Sequence, residues 1–379
     1  MKVYLDNAAT TPLDPEVFEA MQPYMIEFFG NPSSTHAHGR VVRAEIEKAR
    51  KTVAELLNTT PGEIFFTSGG TEADNTIITG NIETHGIGHV ITSEIEHPAV
   101  LQTVNHLHSN GKITISYVNL DRDGRIDYPH LEELLKTNKK SLVSLMHGNN
   151  EIGNITDIEK VGEMCHEYSA VFHSDTVQTM GHFTHDLSKL KIDAIVGSGH
   201  KFHGPKGTGF MYMSKNCRFH PFIHGGGQER NMRGGTENVY GIIGVAKALE
   251  ISYRDMNEHQ KHIQGLKNRM ISNLKEKIND ILFNGDSAIA DKSLYTVLNA
   301  SLPVLEKNDM MLFNLDINGI SASGGSACSS GATKGSHVLE ALDIDSNRGA
   351  IRFSFSKYNT IEEIDYVAEK LAEFYNVEV

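Results

Sequence analysis

Short apolar runs alternate with stretches of helical periodicity along the first two thirds of the chain. The spacing predicts β-strands at seven places: 63–67, 89–92, 113–118, 141–146, 170–173, 193–196 and 209–213. It predicts helices at 41–57, 71–85, 97–108, 129–137 and 157–168. The triplet Asp14-Pro15-Glu16 predicts another helix start, with Asp as N-cap and Pro at the first position. Such alternation predicts an α/β fold, a mostly parallel sheet flanked by helices.

The pattern changes near residue 255. A long amphipathic stretch at 256–278 leads into short strands and further helices at 334–342 and 361–375, which is typical of a smaller α+β unit. Because chain ends often meet across a domain, we expect the N-terminus to join this unit. The predicted division is a large domain at 15–255 and a small domain of 1–14 with 256–379.

Polar residues follow most of the predicted strands directly. In open α/β sheets, ligands bind beyond the carboxyl ends of the strands, so these residues are candidates for one common site. Only the strands at 113–118 and 209–213 lack such residues. The candidates are Thr71, His97, Asn150, Asp175, Gln178, Ser198, His200 and Lys201.

Charge and composition narrow the class of protein. The formal net charge of −13 argues against direct nucleic-acid binding and against an anionic membrane surface. No apolar run has the length of a membrane-spanning helix, and the N-terminus lacks signal-peptide features. Three cysteines form no disulfide framework, so we expect a cytoplasmic protein. The 20 histidines show no zinc-ligand spacing, and we predict no metal site.

Lys201 and Asp175 together indicate a cofactor. Lys201 lies between the glycine-rich segments GSGH and FHGPKGTG, where it is either a surface charge or a Schiff-base lysine. Asp175 ends an apolar strand and would need a partner, such as a pyridinium nitrogen. The segment SGGTE at 68–72 is either a plain helix N-cap or a phosphate site. Taken together, these features indicate pyridoxal phosphate.

A stretch of small residues, SASGGSACSSGAT at 321–333, surrounds Cys328. Glycine and serine allow many backbone conformations and little packing. The stretch is either a tight turn around a buried structural cysteine or a mobile arm that carries a reactive thiol. We predict the mobile arm, because a tight turn does not require the run of serines.

Ten stretches resemble one enzyme family along nearly the whole chain, from residue 4 to about 356. The chain is similar to the cysteine desulfurases of the NifS/IscS type, within the class V, fold-type I pyridoxal-phosphate enzymes. The family often has Ala where Gly70 stands. The matching stretches are YLDNAATTP, GNPSSTH, FTSGGTEADN, EHPAV, NNEIGNI, DTVQTMG, SGHKFHGPKGTG, GGGQERNMRGGTEN, GSACSSG and IRFSFS.

The resemblance implies a role for each matching residue. Lys201 would carry the cofactor, Asp175 would pair with its ring nitrogen, and Gln178 would bind its ring hydroxyl. His97 would stack on the ring and act in acid–base chemistry. The phosphate would be held by Thr71, Ser198, His200 and, from the other subunit of a homodimer, Thr236. Gly70 and Asn150 would also bind the cofactor. Asn150 and Arg352 would bind the carboxylate of L-cysteine, and Cys328 would accept its sulfur.

The implied reaction converts L-cysteine to L-alanine and leaves a persulfide for a sulfur-acceptor protein, a scaffold for iron–sulfur clusters or a tRNA-thiolation enzyme. A selenocysteine lyase or another class V enzyme, such as an aminotransferase, is the nearest alternative. Transamination needs no thiol, which disfavours the aminotransferase. A non-catalytic sulfur carrier without pyridoxal phosphate is a further alternative, disfavoured by the Lys201 and Asp175 pair.

Overall fold

The computed structural model describes residues 1–138, 140–215, 217, 219–304, 310–324 and 335–375. Its α-helices are Pro15–Ile26 (α1), Ala37–Leu56 (α2), Gly70–His85 (α3), Pro98–Ser109 (α4), Tyr128–Thr137 (α5), Ile158–Glu167 (α6), Val239–Arg254 (α7), Met256–Lys277 (α8), Met311–Ile317 (α9), His337–Ala341 (α10) and Ile361–Tyr375 (α11). Its strands are Val3–Tyr4 (β1), Ile64–Thr67 (β2), His89–Thr92 (β3), Thr114–Tyr117 (β4), Ser141–Ser144 (β5), Val171–Ser174 (β6), Ala194–Ser198 (β7), Gly209–Met213 (β8), Leu282–Phe283 (β9), Val297–Ser301 (β10), Ile320–Ser321 (β11) and Ala350–Ser354 (β12).

A seven-stranded sheet with the order β2-β8-β7-β6-β5-β3-β4 forms the centre of the fold. Neighbouring strands are parallel except at β8, which runs antiparallel to both β2 and β7. The carboxyl ends of the other strands therefore meet at one edge. This arrangement explains the two strands without polar successors, because β8 ends at the opposite edge and β4 is the outermost strand. The predicted α/β class is confirmed.

Helices cover both faces of this sheet, since neighbouring side chains of β2 pack against different helices. Phe66 of β2 packs in one core with Val42 of α2 and Ile242 of α7. Its neighbour Phe65 faces the other way and packs with Ile77 of α3. Successive side chains of a strand point to opposite faces, so a strand buried on both sides reads as one apolar run.

The C-terminal third contains a separate antiparallel sheet, β12-β10-β9, backed by α8 and α11. Strand β1 at the N-terminus pairs with β11 of this part, and Asp6 bridges to Ser354 of β12. The predicted division into two domains stays a prediction, although the core residues of this part form their own cluster.

Most predicted elements are present, and the differences have local causes. The Asp14 carboxylate caps α1 by accepting the Glu16 N–H at 2.8 Å. The helix predicted at 334–342 begins only at His337, because the Ser336 hydroxyl caps it there. Helix α7 was not predicted, since apolar and small residues lie all around it and hide the helical period.

Candidate active site

A cavity of about 320 Å³ lies at the carboxyl ends of β3, β5, β6 and β7. Its volume suits a small cofactor with a substrate. Residues from distant parts of the chain line it, and they include most of those predicted from the sequence: Gly70, Thr71, His97, Asn150, Asp175, Gln178, Ser198, His200, Lys201 and Arg352.

The start of α3 forms a tight cradle beside Ser198. Gly69 precedes the helix with φ of +154°, a conformation that favours glycine. A Cβ on Gly70 would lie only 2.7 Å from Cγ2 of Val177. The unpaired N–H groups of a helix N-terminus, with a serine hydroxyl next to them, suit a phosphate.

Lys201 lies in a short 3₁₀ turn, Gly199–Lys201, directly after β7. Its Nζ donates hydrogen bonds to the carbonyl oxygens of Ala8 at 2.6 Å and Ala9 at 2.9 Å. The N-terminal segment therefore crosses the cavity next to the lysine. Ala8 and Ala9 are lining residues that we did not predict, although they lie in the matching stretch YLDNAATTP.

Asp175 and Gln178 follow β6 and are both buried. One oxygen of Asp175, Oδ1, accepts the Val177 N–H at 2.9 Å, which fixes the carboxylate at the strand end. The Gln178 amide donates from Nε2 to the Ala8 carbonyl at 3.0 Å. Both side chains are thus held by backbone groups and line the cavity.

His97 is the N-cap of α4, and its Nδ1 accepts the Ala99 N–H at 3.1 Å. In the neutral ring the proton therefore lies on Nε2. Burial lowers the pKa of His97, which the nearby Asp175 opposes and Lys201 reinforces. Burial, together with Lys201, also lowers the pKa of His200 to about 4. Both imidazoles are accordingly neutral at physiological pH.

Asp74 is a cavity residue that the sequence analysis missed. It lies one helical turn after Thr71 on α3, so helical spacing could have revealed it. Its carboxyl Oδ1 lies 3.3 Å from Nε2 of His173, whose Nδ1 is 2.9 Å from the Ser144 hydroxyl. All three side chains are buried.

Burial and the nearby Asp175 raise the pKa of Asp74 well above its usual value. Burial lowers the pKa of His173 to about 3, so this ring is neutral. A protonated Asp74 can then donate to His173 Nε2, which satisfies two otherwise unpaired buried atoms. Burial also raises the pKa of the neighbouring Glu96 to about 8. Two carboxyl groups near Asp175 therefore keep their protons at neutral pH.

Arg352 enters the cavity from β12 of the C-terminal sheet and is almost fully buried. Its Nη1 donates to the Asn150 carbonyl at 3.0 Å, and its Nη2 pairs with Asp6 at 2.8 Å. A guanidinium with donors left over at a cavity wall can bind a carboxylate.

Two predicted residues are not part of this cavity. Thr236 lines a different depression of about 130 Å³, next to Ser68 and Arg233. Cys328 lies outside the described residues, as does most of the stretch at 321–333, so its predicted mobility stays a prediction. Among the residues that the structure describes, no group of three His, Cys, Asp or Glu side chains could hold a metal ion.

The residues present fit pyridoxal phosphate. The cavity joins a glycine cradle at a helix N-terminus, a buried carboxylate at a strand end and a lysine amine. These three groups match the phosphate, the ring nitrogen and the aldehyde of that cofactor. Fold and site together therefore define a pyridoxal-phosphate enzyme of the α/β type.

Comparison with known proteins identifies the family of this chain. Residues 3–367 match the family described as aminotransferase class-V. The chain is 42% identical over 375 residues to "Cysteine desulfurase IscS" of Dictyoglomus turgidum, covering 98% of this chain and 93% of that protein. It is 40% identical to "Putative cysteine desulfurase IscS 1" of Bacillus subtilis, covering 98% of each.

Solved structures agree with this assignment. A "NifS-like protein" superposes with a TM-score of 0.91 at 38% identity, covering 100% of both chains. A structure described as "SspA in complex with cysteine" superposes with a TM-score of 0.81 at 31% identity, covering 95% of this chain and 100% of the other. The chain belongs to the class-V aminotransferase family, whose members depend on pyridoxal phosphate.

Proposed function

We propose that this protein is a pyridoxal-phosphate-dependent cysteine desulfurase, which converts L-cysteine to L-alanine and keeps the sulfur as a persulfide on Cys328. The observation that carries the proposal is the meeting of Lys201, Asp175 and Arg352 in one cavity. The near full-length similarity to proteins named cysteine desulfurase supports the choice of substrate.

In this proposal, the cofactor is held from several sides. Lys201 would carry the cofactor through its aldehyde, Asp175 would pair with the ring nitrogen, and Gln178 would bind the ring hydroxyl. The neutral ring of His97 would stack on the cofactor ring. The phosphate would be held by residues at the start of α3, at the end of β7 and in the turn that follows it: Gly70, Thr71, Ser198 and His200.

L-Cysteine binds with its carboxylate at Arg352 and the Asn150 side chain. Bound pyridoxal phosphate supplies the electron sink that lets the amino acid lose its Cα proton. The freed amine of Lys201 accepts that proton at Nζ, and the carbonyls of Ala8 and Ala9 lie within hydrogen-bond distance to orient it. His97, whose neutral ring carries its proton on Nε2, lines the same cavity.

The Cys328 thiolate attacks the sulfur of the bound cysteine. The Cβ–S bond of the substrate breaks while an S–S bond forms on Cys328, and the carbon skeleton leaves as alanine after protonation. A cationic group near the thiol would favour the thiolate, because positive charge lowers the pKa of a thiol. The persulfide then passes to an acceptor protein of iron–sulfur cluster assembly or tRNA thiolation.

The proposal includes a homodimer in which Thr236 of each subunit completes the phosphate site of the other. Large apolar side chains are exposed at the end of α1, just after it, and near the segment that carries Thr236, which supports an interface there: Met25, Ile26, Phe28, Phe29, Phe222 and Tyr240. The molar mass in solution tests this part. A cytoplasmic location is part of the same proposal, and the free, buried thiols of Cys165 and Cys217 suit a reducing compartment.

The decisive experiment is the substitution Cys328→Ala. We expect the purified variant to keep the yellow cofactor and to lose alanine production from cysteine, whereas the matched control Cys165→Ala keeps both. Wild-type desulfuration by Cys328→Ala would refute the assignment of the nucleophile. Comparing turnover of cysteine and selenocysteine by the wild type separates the desulfurase from a selenocysteine lyase.

No described helix combines the length and the apolarity that crossing a membrane requires.

A further inference from the structure

Arg352, the proposed carboxylate ligand, is not a free cation. Its side chain is 2% exposed, and its Nη2 pairs with Asp6 Oδ1 at 2.8 Å. A buried guanidinium cannot lose its proton, so a counter-charge beside it is required. Asp6 is 20% exposed and supplies that charge from the N-terminal segment.

Both partners are held by backbone contacts. Asp6 forms a parallel bridge with Ser354, two residues after the arginine, and its carbonyl accepts the N–H groups of Ala9 and Thr10. The backbone of Arg352 exchanges two hydrogen bonds with the backbone of Ser323, and its Nη1 donates to the Asn150 carbonyl. The backbones of both residues are therefore fixed close together, so an incoming carboxylate would bind the guanidinium with Asp6 beside it.

The guanidinium keeps donors for that second carboxylate. Nη1 and Nη2 of Arg352 each carry two N–H groups, and the contacts to the Asn150 carbonyl and to Asp6 use one on each nitrogen. Arg352 lines the cavity together with Ala8 and Ala9, which follow Asp6 along the chain. A substrate carboxylate and the Asp6 carboxylate would then share one positive charge.

We propose that Asp6 sets the affinity of this site for amino-acid carboxylates, by partly neutralising Arg352, and so allows release of the product. Cysteine and alanine carry the same carboxylate, so a contact to it strengthens substrate and product equally and does not favour the transition state. A site without Asp6 would bind both amino acids tightly and release alanine slowly. This inference rests on the proposed role of Arg352 in the desulfurase.

The magnitude follows from the charges. Two like charges about 6 Å apart, at an effective dielectric constant of about 20, change an equilibrium constant by about a hundredfold. Asp6→Asn removes the charge and keeps an oxygen for Nη2, so the arginine stays in place. Because Asp6 is 20% exposed and water screens part of this repulsion, we expect about tenfold to a hundredfold tighter binding of carboxylate ligands to this variant.

The experiment measures binding to the pyridoxal-phosphate-loaded enzyme. L-Alanine is followed by the change in visible absorbance, and 3-mercaptopropionate, which has no amino group, by calorimetry. Asp6→Ser is the second charge-neutral variant. Asp14→Asn is the matched control, because it removes the same charge from a buried ion pair with Lys357 that does not line the cavity.

Tighter binding of both ligands to Asp6→Asn and Asp6→Ser, with Asp14→Asn unchanged, supports the inference. The inhibition constant of alanine should fall by the same factor as its dissociation constant. Equal or weaker binding overturns it. The variant Arg352→Gln distinguishes the role of Asp6 from that of Arg352. If it loses both ligands while Asp6→Asn changes nothing, only the role of Asp6 is wrong. If it binds both ligands as the wild type does, the proposed carboxylate site is wrong as well.

Discussion

Replacing Glu229 by glutamine should cost the protein a large part of its stability. Glu229 forms a bidentate ion pair with Arg50, with N–O distances of 2.7 Å and 2.8 Å, and both side chains are almost fully buried. The same carboxylate accepts the Phe66 N–H at 2.8 Å. It therefore ties α2, β2 and the segment before Thr236 together.

The cost follows from what glutamine leaves behind. Arg50 stays charged, and its remaining counter-ion is the half-exposed Glu47 at 3.3 Å. In glutamine, an NH2 group replaces one of the two carboxylate oxygens. A donor then faces the donors of Arg50 and, in one of the two orientations, also the Phe66 N–H. Breaking a buried pair by removing one partner costs about 3–5 kcal/mol. We expect a loss of this size in the free energy of unfolding.

Backbone strain makes the pair more important. Glu229, Arg230 and Asn231 have φ of 44°, 57° and 66°, the left-handed region that non-glycine residues avoid. Each such residue costs about 1–2 kcal/mol, and the surrounding contacts must compensate for it. The bidentate ion pair with Arg50 is one of the contacts that anchor this turn.

Urea unfolding followed by far-UV circular dichroism measures the effect, since the chain has no tryptophan for fluorescence. The double variant Arg50→Met/Glu229→Met should lose less stability than Arg50→Met or Glu229→Met alone, because no unpaired charge stays buried. A loss below about 1 kcal/mol for Glu229→Gln, or a double variant as unstable as the sum of the singles, would refute the reasoning.

Two further predictions concern a buried lysine and the phosphate cradle. Burial lowers the pKa of Lys267 to about 7 while its Nζ donates to Ser293 and Leu294. The unfolded chain therefore binds more protons between pH 7 and its ordinary pKa, and stability should rise with pH there, by up to about 1.4 kcal/mol per pH unit. Lys267→Met should flatten this part of the stability profile, and an unchanged slope would contradict the assignment. Gly70→Ala should weaken binding of pyridoxal phosphate, because the new Cβ lies 2.7 Å from Val177. The double variant Gly70→Ala/Val177→Ala should bind pyridoxal phosphate as the wild type does, which equilibrium binding measures. Binding as weak as that of Gly70→Ala would exclude this clash as the cause.

Local sequence was sufficient for most elements and for much of the site. The strands at 89–92 and 209–213 have the predicted bounds, because apolar runs between turn residues need no distant information. His97, Asp175 and Lys201 were found because parallel strands bring their carboxyl ends to one edge of a sheet. The predicted helix at 361–375 agrees for a similar reason, since its apolar face repeats with the helical period.

Contacts between distant segments could not be predicted in this way. Asp6 and Arg352 are 346 positions apart, and Arg50 and Glu229 are 179 apart. A sequence does not distinguish an exposed carboxylate from a buried counter-ion, because the two differ in how far the folded chain excludes water from them.

The sequence by itself therefore determined the α/β class, the strand-end residues and the lysine–aspartate pair, all of which depend on local pattern and on the direction of the strands. Only the tertiary structure decided which charges share a buried environment. It placed Asp74 beside His173 with the proton kept on the carboxyl, and it placed Asp6 against Arg352. The reason is physical, since the energy of a charge depends on its distance to other charges and on its exposure to water, and the folded chain sets both.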